Sequence, residues 1–160
     1  MAKNRQPNGA NANDSSIDEI SRRIVAELQG EGRLTIAELG RRVGLSAPAV
    51  TERLQRLESA GVIRGYHAEV DPRALGLSLS AVIRIRPAPG QIANVAEAAV
   101  AAEEIVECHR ITGEDCYIMR AHIRDVKHLE ELIDRFTPLG QTTTSIVQSS
   151  PVPGRGLALG

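Results

Sequence analysis

Pro48, Glu52, Gln55 and Arg56, with Ala49, Thr51 and Arg53 on their flanks, are spaced to lie on one side of a helix turning about 100° per residue. Arg and Gln can pair bidentately with base edges in a DNA major groove, and Thr and Ala can touch a thymine methyl. Small residues at a helix start allow close approach to the duplex. An ordinary solvated face has the same composition, so the surrounding elements must decide.

A second run with chemical potential is Thr112-Gly113-Glu114-Asp115. Glycine permits close backbone approach, the amides of a tight turn can hold a carboxylate, and an acidic side chain can pair with an ammonium. The same residues also suit a plain hairpin turn. Cys108, His109, Cys116 and His122 are metal-ligating types, but Cys108 and His109 are neighbours in a strand pattern and point to opposite faces. The C-x-x-C and H-x-x-x-H spacings are missing. With no nucleophile elbow, phosphate-cradling glycine loop or catalytic carboxylate pair, the expectation is no metal, no cofactor and no enzyme.

The elements that must position the first face are helical. Ile17, Ile20, Ile24 and Leu28 recur at helical spacing behind a capping box of Ser16 and Glu19, and Gly30 and Gly32 end that helix. Thr35 and Glu38 open a short second helix through Ile36, Leu39 and Val43, which Gly44 stops. After the joint Gly44-Leu45-Ser46, a third helix carries Pro48 in its first turn and Val50, Leu54 and Leu57 on its apolar stripe. Three short helices with a tight joint outline a helix-turn-helix. With Arg22, Arg23, Arg41 and Arg42 nearby in sequence, this context favours DNA over a merely solvated face.

Beyond Gly65 the pattern becomes strand-like. Residues 66–70 read as a linker strand ended by Asp71-Pro72, and Leu79, Ala81, Ile83 and Ile85 alternate with Ser80, Val82, Arg84 and Arg86. A helix over 91–102, strands over 105–111 and 116–123, a helix over 126–136 and a strand over 142–149 complete the order βαββαβ. That order is the ferredoxin-like split unit. Both of its helices cover one sheet face, so the other needs a cover, and a second copy of the chain is the simplest one. A two-fold dimer would also present two recognition helices to successive major grooves.

The expected organisation is α+β: a disordered tail over 1–15, a helix-turn-helix domain over 16–64, a linker strand over 65–77, a ferredoxin-like domain over 78–150 and a C-terminal tail over 151–160. With no Trp, two Tyr and one Phe, stacking platforms for single-stranded nucleic acid are excluded. The net charge is −1 overall but +2 up to Arg64, which places any phosphate contact in the N-terminal third. Two cysteines, no secretory leader and no membrane-length apolar run point to the cytoplasm.

In this order, "IDEISRRIVAELQGEGRLTIAELGRRVGLS", "VTERLQRLESAGVIRGYHAEVD" and "ITGEDCYIMRAHIRD" resemble the leucine- and asparagine-responsive regulators of bacteria and archaea, the Lrp/AsnC or feast-famine family. The likeness runs from about Ser16 to Ser150. It implies a helix-turn-helix domain, winged or plain, and an effector (RAM-type) domain that dimerises through its sheet, with dimers assembling further, commonly to octamers. It implies a sequence-specific transcriptional regulator of double-stranded DNA whose assembly or DNA affinity answers to a small molecule, typically an amino acid. The alternative is an amino-acid-sensing assembly module without specific operator binding.

Carried over residue by residue, DNA reading falls on Ser46, Ala47, Pro48, Thr51, Glu52, Arg53, Gln55 and Arg56. Effector binding falls on Thr112, Gly113, Glu114, Asp115 and Tyr117, with Ser149 placed by rough alignment of the last strand's end. Cys116 stands where many members of the family carry Asp. In this scheme Gln55 and Arg56 meet base edges, while Arg53 and part of the set Arg22, Arg23, Arg41 and Arg42 hold phosphates.

Overall fold

The computed structural model describes residues 17–159. The expected N-terminal tail and Ser16 of the first capping box lie outside them. The described chain divides into two compact units, one reaching to Ala68 and joined by the residues from Gly154 onward, the other spanning Glu69–Pro153.

In the first unit, α1 spans Glu19–Gly30, α2 Ile36–Val43 and α3 Ala47–Ser59. Asp18 caps α1, its Oδ1 accepting the Ser21 N–H at 2.8 Å. Thr35 caps α2 through the Glu38 N–H at 3.2 Å, and Gly44 ends it at φ 75°, a left-handed conformation that suits glycine. Ser46 takes the cap conformation for α3 but makes no side-chain cap bond, and Pro48 occupies the first turn. Ile24, Leu39, Val43, Val50, Leu54 and Leu57 form the core. Each such side chain contributes about 1.5–3 kcal/mol relative to exposure.

Gly40 sets how closely α2 and the joint approach each other. The Leu45 N–H donates to its carbonyl at 2.9 Å, and a Cβ on Gly40 would lie 2.6 Å from the Leu45 carbonyl oxygen. No strand follows α3 within this unit among the described residues, so no β-hairpin wing is present there.

The linker expected as a strand over 65–77 forms none. Residues 65–71 have no regular structure, and a 3-10 turn over Pro72–Leu75 follows, with Gly76 at φ 80°. A strand exists only with a partner for its backbone groups. The single chain supplies none here, and Tyr66 and Val70 stand exposed.

The second unit has the expected βαββαβ order: β1 Leu79–Pro87, α4 Ile92–Ala101, β2 Ile105–Arg110, β3 Tyr117–Ile123, α5 Val126–Asp134 and β4 Gly140–Ile146. The sheet order is β2-β3-β1-β4, with antiparallel neighbours throughout. Alternation along β1 and β3 sends Ala81, Ile83, Ile85, Met119, Ala121 and Ile123 into a core completed by Val95 and Ala99 of α4, Leu129 and Leu132 of α5, and Phe136. Val82, Arg84, Arg86, Ile118, Arg120 and His122 alternate onto the opposite face. Gly140 pairs with Pro87 where β4 begins, and a Cβ on it would collide with the Arg86 carbonyl.

At the start of α5, buried His128 accepts the Arg124 N–H through Nδ1 at 3.3 Å, so its Nε2 carries the proton that faces Glu104 Oε1 at 3.0 Å. Arg135 holds the other oxygen of Glu104 at 2.7 Å. Burial pushes the Glu104 carboxyl up. The hydrogen bonds from Arg135, its own backbone amide and His128 outweigh that and hold it at about 2.

Candidate nucleic-acid interface and ligand turn

Seven of the eight residues expected to read DNA form one solvent-facing surface at the start and along one side of α3. Ser46, Ala47, Pro48, Thr51, Glu52, Gln55 and Arg56 are all exposed, while Val50, Leu54 and Leu57 turn inward. Thr51 Oγ1 donates to the Ala47 carbonyl at 3.0 Å, which leaves its methyl as the outward group. Arg56 pairs with Glu52 one turn earlier, and its side chain keeps 74% of its surface in water. An exposed i, i+4 pair of this kind contributes only a few tenths of a kcal/mol, about 0.3–0.5, and so yields readily to a better partner.

Arg53 differs from the other seven. It is half-buried, and its guanidinium meets Asp18 Oδ2 at 2.5 Å and Ser21 Oγ at 3.1 Å. It thus ties α3 to the cap of α1. Asp18 is drawn down to about 2 by Arg53 first and by the Ser21 amide next.

The basic set, part of which is expected to hold phosphates, makes contacts of different kinds within the unit. Arg42 bridges Glu27, Glu31 and Glu38 at 3.0, 2.9 and 2.9 Å, clamping α2 to α1 and the turn between them. Arg41 takes the remaining capacity of Glu38 at 2.6 Å, and the two guanidiniums, Arg41 first, hold that carboxyl at about 2. Arg23 donates to the Arg42 carbonyl at 3.0 Å, and Arg22 donates to the carbonyls of Ile17 and Leu159 at 3.1 Å each. Arg42 is thus held among three carboxylates, whereas Arg41 pairs with Glu38 at the surface and keeps 74% of its side chain exposed. Sequence proximity marked them as basic, but their acidic partners lie up to 15 positions away.

In the second unit, Thr112, Gly113, Glu114 and Asp115 turn the chain from β2 to β3, with Gly113 at φ 112° and open space where a Cβ would lie. The Ile111 N–H donates to the Cys116 carbonyl at 2.8 Å, and the Cys116 N–H donates to the Ile85 carbonyl at 3.0 Å, which seats the turn beside the end of β1. Two arginines on alternate positions of β1 meet its acids. Arg86 donates to the Glu114 carboxylate at 2.6 Å and to its carbonyl at 3.0 Å, and Arg84 lies 3.5 Å from Asp115. The result is a neutral cluster of two cations and two anions over the open sheet face.

Two of the residues expected at the effector site fall elsewhere within the chain. Tyr117 is buried in the core, its hydroxyl donating to the Ile92 carbonyl at 3.1 Å, which ties the start of β3 to the start of α4. Ser149 follows β4, whose Ile146 pairs with Ala81 near the start of β1, whereas Tyr117 pairs with Ile85 near its end. At about 3.3 Å of rise per residue, Ser149 and the turn occupy opposite ends of the sheet. Arg84 and Arg86, which meet the turn acids, are not among the site residues expected from the sequence. Their two-residue spacing on the open face at the strand's end was the available signal. Among the described residues, no three His, Cys, Asp or Glu side chains are grouped to hold a metal ion, and no helix is long and apolar enough to cross a membrane.

A helix-turn-helix unit with an exposed recognition face, followed by a ferredoxin-like unit with a charged turn, defines a DNA-binding transcriptional regulator with a ligand-binding domain. Residues 17–64 match the model of the winged helix-turn-helix DNA-binding domain, and residues 80–157 match that of the Lrp/AsnC ligand binding domain. The chain belongs to the Lrp/AsnC family of transcriptional regulators. The HTH-type transcriptional regulator LrpA of Mycobacterium tuberculosis is 36% identical over 132 residues, covering 82% of this chain and 88% of that protein. The solved structure of Bacillus subtilis LrpC has a TM-score of 0.83 at 33% identity, covering 86% of this chain and 99% of the other. A transcriptional regulator of Neisseria meningitidis, solved as a complex with L-methionine, has a TM-score of 0.85 at 28% identity, covering 90% and 97%.

Proposed function

We propose that this regulator reads double-stranded DNA with Ser46, Ala47, Pro48, Thr51, Glu52, Gln55 and Arg56, and that an amino acid bound at the Gly113 turn changes its assembly or its DNA affinity. The observation that carries the ligand reading is the neutral cluster of Arg84, Arg86, Glu114 and Asp115. A zwitterion can exchange into both pairs at once, its carboxylate replacing an acid on an arginine and its ammonium taking the freed acid. The methionine complex of the Neisseria relative supports the same ligand class. Arg53 acts in this scheme by holding α3 in place rather than as a free phosphate ligand.

The chain acts as a homo-oligomer in the cytoplasm, at least a dimer and on to an octamer. Support for self-association comes from the sheet face left without helices and from the extended linker, whose Tyr66 and Val70 stand exposed. Ligand control is then a population shift, because an effector regulates only by binding one assembly more tightly than another.

The test is a thermal-shift screen of the purified protein against the twenty amino acids and their keto acids, followed by sizing with each hit. A saturable rise in melting temperature that disappears in both Asp115→Ala and Arg84→Ala is expected. No shift with any compound, in protein that still binds DNA with a steep salt dependence, removes the amino acid from the mechanism and leaves the regulator. A shift without specific DNA binding would favour the stand-alone sensing module.

A further inference from the structure

The C-terminal segment is not the free tail that its Pro and Gly content suggests. Gln29, near the end of α1, accepts the Leu157 N–H through Oε1 at 2.6 Å and donates to the Leu157 carbonyl through Nε2 at 3.1 Å. One side-chain amide thus satisfies both backbone groups of a single residue, as a neighbouring strand would. Seven positions earlier, on the same side of the helix, Arg22 donates to the Leu159 carbonyl at 3.1 Å. Gly156 makes the approach possible, since a Cβ there would lie 2.8 Å from Gln29 Oε1 and 3.0 Å from Gln29 Cβ. The Leu157 side chain itself stands 79% exposed, so the contact recognises backbone rather than a side chain.

We propose that the Arg22–Gln29 face of α1 is a docking surface for the extended segment 155–159 of the same chain. The ligand-binding unit is then joined to the DNA-binding unit at both of its ends, through the linker before β1 and through the strap after β4. Three hydrogen bonds are enough for such a strap because the segment is covalently attached, and its effective concentration replaces affinity.

The test is amide hydrogen exchange on the full-length protein, reading Leu157 against the cores of the helices. The Leu157 amide is expected to exchange at least about tenfold more slowly than in a free peptide of residues 150–160. Gln29→Ala and Gly156→Val should each return it to the peptide rate while the amides of Leu39 and Val50 stay protected. Peptide-rate exchange in the unaltered chain, or protection surviving in both variants, overturns the proposal. Subunit exchange of isotope-labelled Gln29→Ala chains with excess unaltered protein identifies whose tail is bound. Protection regained by the labelled Leu157 would place the segment on a second copy and overturn docking within one chain; continued fast exchange supports it.

Discussion

Arg53 of α3 and Asp18, the cap of α1, meet at 2.5 Å, so one ion pair holds the recognition helix against the entrance of the first helix. The pair joins two jobs. Asp18 also accepts the Ser21 amide, and loss of its charge weakens a helix cap and an interhelical contact together.

Acid should therefore loosen the first unit in a defined window. Asp18 and Glu38 both have carboxyls lowered to about 2, Asp18 by Arg53 and Glu38 by Arg41 and Arg42. A lowered folded-state value means that the stabilisation is complete above the unfolded value near 4 and is lost as pH falls toward 2. Asp18→Asn is expected to flatten this dependence in part, since Glu38 remains. Urea titrations across that window check it, and an unchanged slope would exclude Asp18 as a contributor.

Gly40→Ala should destabilise the helix-turn-helix by about 1–3 kcal/mol through overpacking, because the new methyl meets the Leu45 carbonyl oxygen and backbone must move to clear it. DNA affinity is expected to fall in parallel, as α3 loses its seat against α2. Chemical denaturation with a duplex-binding titration measures both. A variant as stable as the parent would show that the joint tolerates a shift of several tenths of an ångström.

Arg56→Ala should weaken binding to an operator by about 1–3 kcal/mol and blur its sequence preference, with a smaller loss on random DNA. The exposed pair with Glu52 offers little resistance to release, so Arg56 can turn to a base edge. Equal losses on both DNAs would make it a phosphate contact. Glu52→Gln is expected to spare non-specific binding, or to strengthen it slightly, by freeing the guanidinium.

Glu104→Gln should cost the second unit about 1–3 kcal/mol, because His128 and Arg135 both donate to this one carboxylate and an amide offers a single acceptor oxygen. The melting of the ligand-binding unit should drop while hydrogen exchange in α1 to α3 stays unchanged. A drop in both units alike would point to cooperative unfolding of the whole chain.

Much of the architecture was legible in the chain. The periods of Val50, Leu54 and Leu57 and of Ala81, Ile83 and Ile85 announced a helix and a strand, and Thr35 and Gly44 marked α2 at both ends. These signals are local: spacing, caps and positive φ act within a few residues. The linker failed as a strand because strand identity depends on a pairing partner, which the spacing of Tyr66 and Val70 does not encode.

The sequence by itself determined the two-unit order, the exposed face of α3 and the turn at Gly113. Only the tertiary structure decided which charges remain free. Arg42 and Arg53 face acids on other segments, Arg84 and Arg86 meet the turn acids, and Ser149 lies at the far end of the sheet from them. The reason is physical: ion pairing and site assembly depend on distance through space, and residues 15 to 35 positions apart become neighbours only when the cores close.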